Sequence, residues 1–130
     1  MTNAPLNTEN EYVKIYTEEG IIVGEIKKKV FVDLSGAKKI VEDRKKITKN
    51  QESLILLDAT EVKGISKEAR DYFGSMEGSV LIKASAIYTN SKLSSFLANF
   101  LMKVNLVNTN VPVKLFTDRK KAIKWLHTYK

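Results

Sequence analysis

At 130 residues, 43% of them apolar and 28% charged, the chain has the length and balance of one globular domain with a real hydrophobic core. It has no cysteine, which excludes disulfides, thiolate nucleophiles and Cys-ligated metals, and no apolar run approaches the roughly 20 residues that span a bilayer. Its formal charge of +7 lies in residues 66–130, the first half being balanced. A basic half can attract nucleic acid, an anionic membrane surface or an acidic protein. The lysines, however, are spread over several elements rather than one stripe, which favours a merely solvated surface and weighs against nucleic acid as a partner.

The first ten residues, MTNAPLNTEN, lack the basic and apolar regions of a secretory signal. They are expected to be a disordered leader to a domain over residues 11–130, in a cytoplasmic protein. Tyr12, Ile15 and Tyr16, then Glu18-Glu19-Gly20, then Ile21 to Ile26 read as two strands joined by a tight turn, with Gly20 supplying a positive φ. Lys27-Lys28-Lys29 is a solvated strand end and Val30-Phe31-Val32 a brief extended segment. A helix starts at Asp33 or Ser35, with Ala37, Ile40, Val41, Arg44 and Ile47 on one face and charged residues on the other.

Leu54-Ile55-Leu56-Leu57 has no polar alternation, as expected of a strand covered on both faces. Asp58 ends it, and Gly64 marks the connection to a second helix. Ser66 is placed to cap that helix, on which Ala69, Tyr72, Phe73 and Met76 form an apolar face. Gly74 to Ser79 is a break. Val80-Leu81-Ile82 fits helix or loop, and Ala84 to Thr89 a strand. Asn90-Ser91 opens a third helix, Lys92 to about Val104, whose apolar residues exceed one narrow stripe. Val111 to Phe116 reads as a last strand with Pro112 near its start. Thr117 or Asp118 caps a final helix carrying Ala122, Ile123, Trp125, Leu126 and Tyr129, with Trp125 as a core anchor.

Little in the chain points to catalysis or to a cofactor. The single histidine, His127, sits on the outer part of the last helix, which disfavours a Ser-His-Asp arrangement. Neither G-x-x-x-x-G-K nor G-x-G-x-x-G occurs, and scattered carboxylates make a weak metal site. Asp58 stands at a strand end, where a backbone N–H or Arg70 is its expected partner.

The order of strands and helices, with LILLD, a loop and a helix at its centre, resembles the STAS and SpoIIAA-like domains. Pro112 to Leu126 (PVKLFTDRKKAIKWL) is similar to the C-terminus of SpoIIAA-like, CRAL-TRIO-like proteins. Ala86 to Lys103 fits that group's strand and apolar helix, and small STAS-like proteins of Bacteroidetes share the whole pattern. The resemblance implies a single α/β STAS/SpoIIAA-like domain with a mixed sheet of about five strands and four helices. It also implies a non-enzymatic, regulatory or protein-binding role. In the anti-sigma-factor antagonists of the family, a serine after the central strand is phosphorylated to break partner binding. Ser66 is the counterpart by position, though Gly64-Ile65-Ser66-Lys67-Glu68 lacks the family's Asp-Ser-Ser/Thr-Gly, and an N-cap serine needs no further role.

The contact residues expected on this reading are Ser66, Lys67 and Arg70, with Asp58 beside them, and the partner is a protein. The alternative is a carrier or sensor of a small apolar molecule or lipid, lined by Tyr72, Leu93, Phe96 and Phe100. The same four residues would serve a homodimer contact.

Overall fold

The computed structural model describes residues 7–60, 62–89 and 111–130. Eight strands and three helices occur among them: β1 Asn7–Glu9, β2 Val13–Glu18, β3 Ile21–Ile26, β4 Phe31–Val32, α1 Leu34–Ile47, β5 Ser53–Asp58, β6 Gly64–Ile65, α2 Lys67–Phe73, β7 Ile82–Tyr88, β8 Val113–Phe116 and α3 Arg119–His127. Six strands make one mixed sheet in the order β1-β2-β3-β5-β7-β8. The first three are antiparallel, and β3, β5, β7 and β8 run parallel. The sheet has one strand more than the sequence suggests, because Asn7–Glu9, inside the expected leader, pairs with β2. The expected helix over Lys92 to Val104 lies outside the described residues.

Alternation along the strands divides the interior into two cores. Ile22, Ile26, Ile55 and Ile87 pack with Ala37, Ile40 and Ile47 of α1 and Ala69 of α2 on one face. Ile21, Val23, Leu54, Leu56, Ala84 and Ala86 pack with Ala122 and Leu126 of α3 on the other. Small alanines on β7 let α3 approach closely, and Trp125 anchors its flank between Phe116 and Tyr129, at ring-centroid distances of 5.6 and 5.0 Å.

The elements begin and end where their chemistry dictates. Glu19 and Gly20 both have positive φ, 52° and 78°, the combination a two-residue type I′ hairpin turn requires. Asp33, not Ser35, caps α1, its carboxylate accepting the Gly36 N–H at 2.8 Å. Asp118 caps α3 through the N–H groups of Lys120 and Lys121. Met76 departs from its expected place. The helix stops at Phe73, with Gly74 as its cap, and Met76 stands 74% exposed in the following turns.

Arg44 clamps those turns. It sits on the buried face of α1, as its spacing implied, and its guanidinium donates to the carbonyls of Val80 at 2.9 Å and Gly78 at 3.4 Å. Desolvation lowers its pKa. The fold has no room for a side chain at Gly78, where a Cβ would lie 1.9 Å from the Tyr72 carbonyl oxygen.

Leu56 is fully buried, so Leu56→Ala should lower unfolding free energy by about 2–5 kcal/mol. Gly78→Ala should also destabilise, while Lys39→Ala on the exposed face of α1 should stay within about 0.5 kcal/mol of the parent. Urea denaturation of the three variants measures the differences.

Candidate interaction surface

Beyond the ends of β3 and β5, the chain turns toward the face that carries α1 and α2, and the two connections pair with each other. Phe31 and Val32 of β4 lie parallel to Gly64 and Ile65 of β6. The Lys63 N–H donates to the Val30 carbonyl at 2.8 Å, and the Ser66 N–H to the Val32 carbonyl at 2.9 Å. Val32 and Ile65 enter the core, while the alternation turns Phe31 outward, 52% exposed. Its ring lies against Gly64, where an added Cβ would come within 3.1 Å of Phe31 Cδ1. Leu34, at the start of α1, is a second exposed apolar side chain. An aromatic ring is thereby held in the open on hydrogen-bonded backbone. Phe31 is the residue that sequence reasoning missed. Its signal is its position one residue out of phase with Val32, among the charged residues Lys28, Lys29 and Asp33.

Ser66, Lys67 and Arg70 come together at the start of α2, next to this pair of short strands. Ser66 Oγ accepts the Ala69 N–H at 3.1 Å, so the hydroxyl is a helix cap. Lys67 pairs with Asp71 at 2.8 Å, and that hydrogen bond raises the lysine's pKa. Both side chains are well exposed, so the pair adds little stability. Tyr72 is half-buried against the core of α1 and α2, with its hydroxyl 3.3 Å from Glu77, and desolvation raises its pKa.

Asp58 does not join them. Its position alternates with those of Leu54 and Leu56, on the α3 side of the sheet, and its Oδ1 accepts the Thr60 N–H at 3.0 Å, the backbone N–H option anticipated from sequence. Leu93, Phe96 and Phe100 lie outside the described residues.

Asp58 belongs instead to a row of register-paired residues that crosses the sheet: Glu9, Lys14, Glu25, Asp58, Tyr88 and Phe116. The first five line a cleft of about 520 Å³, which Arg119 also borders. Arg119 makes a two-pronged contact with Glu18, at 2.8 and 3.0 Å, and Tyr16 donates to Glu25 at 2.6 Å. The hydrogen bond from Arg119 holds the Glu18 carboxyl below its usual range. Burial, with Glu25 beside it, pushes the Tyr16 phenol up to about 12. Arg119 and Glu18 are 101 residues apart, beyond any pattern that sequence spacing could disclose. His127 Nε2 lies 3.0 Å from the Glu19 carbonyl oxygen on the exposed surface. Among the described residues, no group of three or more His, Asp or Glu is placed to hold a metal ion, and no helix is long and apolar enough to cross a membrane.

Comparison with known proteins places the chain within a family. It matches the domain of unknown function DUF7793 over residues 15–130 and belongs to that family. Among solved structures it is similar to an uncharacterized protein of the DUF3478 family with a SpoIIAA-like fold from Shewanella loihica PV-4. The TM-score is 0.59 at 18% identity, with 97% of this chain and 98% of that one covered. At that identity the likeness establishes the fold, which is SpoIIAA-like. No curated protein matches.

The Glu18–Arg119 pair has a pH signature. A carboxyl with a lowered folded-state pKa contributes stability above its unfolded value, near pH 4, and loses it as pH falls through the lowered one. Arg119→Gln should therefore flatten the fall in stability below about pH 5. The two side chains are 31% and 34% exposed, which limits the loss at neutral pH to about 1 kcal/mol or less. Thermal melts of the parent and variant across pH 3–7 check both.

Proposed function

We propose that this DUF7793 domain is a non-enzymatic regulatory module that binds a protein partner through Phe31, Leu34 and the first turns of α2, in a cytoplasmic setting. The observation that carries this reading is Phe31, a half-exposed aromatic ring fixed by the β4–β6 pairing. A rigid ring loses little freedom on association, and aromatic anchors of this kind supply most of the binding energy in small interfaces. Lys29 lies two residues before it and Lys63 next to its strand partner Gly64, both exposed, so the partner surface that fits combines an apolar pocket with acidic residues at its rim. The SpoIIAA-like fold supports a role without catalysis.

Ser66 gives this surface a point of control. A phosphate there would bring negative charge beside Phe31 and work against an acidic partner. Ser66→Asp imitates part of that charge.

The test is affinity capture from the native host, followed by titration of the captured protein. Phe31→Ala should weaken its binding by at least about tenfold while changing unfolding free energy by less than about 1 kcal/mol. Ser66→Asp should weaken it too. A partner bound equally by the parent and both variants would refute this surface.

A further inference from the structure

On the opposite side of the sheet, α3 turns Ala122 and Leu126 into the core, which leaves Lys120, Lys121 and Lys124 exposed on its outer face. Lys114 stands beside them on β8, its ammonium 5.4 Å from the centre of the Phe116 ring. Among the described residues, none of these four lysines has a carboxylate within ion-pair distance. The neighbouring charges are already used. Asp118 Oδ1 accepts the Lys120 and Lys121 N–H groups, and Arg119 is held by Glu18. Among the described residues, four exposed lysines thus share one packed helix and the strand next to it.

We propose that this outer face of α3, with Lys114, is a contact surface for an anionic phospholipid bilayer. Two features favour a bilayer over other polyanions. The cations are all lysines, point charges without the two-pronged geometry with which arginine reads individual phosphates. Phe116, Trp125 and Tyr129 pack on one another, so their ring faces are taken up internally rather than offered to nucleic-acid bases. The Phe31 surface lies toward the α1 and α2 side, so a protein partner and a bilayer would not compete for the same face.

Sedimentation with vesicles of phosphatidylcholine, with and without phosphatidylserine, tests this on the full chain. Binding should require phosphatidylserine and weaken as salt rises to about 0.15 M. Each charge removed should lower partitioning about fivefold, so the triple replacement Lys120→Gln, Lys121→Gln and Lys124→Gln should lower it about a hundredfold. The replacement of three exposed residues should leave the thermal melt unchanged, which separates lost contact from lost fold. Equal sedimentation with both vesicle types, or a triple variant that partitions like the parent, would overturn the proposal. Binding to duplex DNA with no binding to vesicles would overturn it as well, assigning the lysines to nucleic acid.

Discussion

A strand buried on both faces must be apolar on both, and β5, like its neighbour β3, meets this demand. Ile55 faces the core shared with α1 and α2, while Leu54 and Leu56 face the one shared with α3. Its backbone hydrogen bonds are satisfied by parallel neighbours, β3 and β7. Parallel neighbours in turn require crossover connections, and in β3-α1-β5 and β5-α2-β7 both helices lie on the same face. The remaining elements are arranged around that requirement.

Two crossovers on one side bring the chain ends of β3 and β5 out next to each other. Each connection would otherwise expose unpaired backbone groups, and pairing β4 with β6 satisfies some of them. Only one side of so short a ribbon reaches the core, so Val32 and Ile65 are buried while Phe31 is left outside against Gly64. The exposed ring thus follows from the crossovers themselves. On the other face, α3 is the helix that covers β5 and β7 among the described residues, and the polar row from Glu9 to Asp58 lines the cleft.

Much of this was legible in the sequence, for local reasons. The Glu19-Gly20 turn, the apolar stripe of α1 including Arg44, the run at Leu54 and the caps at Ser66 and Asp118 are each written within a few residues. What escaped is what depends on distant partners. β1 is three residues long and polar, and becomes a strand only because β2 offers an edge. Two-residue strands such as β4 and β6 are too short for periodicity to disclose their pairing, so only the place of Phe31 beside Val32, among charged residues, hinted at its exposure. Met76 illustrates the opposite error: its three- and four-residue spacing from Phe73 and Tyr72 fitted a helix, but Gly74 and Ser75 end it and the clamp by Arg44 fixes a turn there. Of the candidate contact residues, Ser66, Lys67 and Arg70 lie together at the start of α2 as their spacing implied, whereas Asp58 belongs to the other face because strand alternation, not nearness in sequence, decides which way it points.

Amide hydrogen exchange at Lys63 and Ser66 in the free protein tests the central claim most directly, since their N–H groups hold the two connections together. A rigid, preformed platform predicts exchange at least about a hundredfold slower than in an unstructured chain, tracking the adjoining sheet. Exchange of both amides at unstructured rates would contradict it, leaving Phe31 on a loose loop with no preorganised surface to offer.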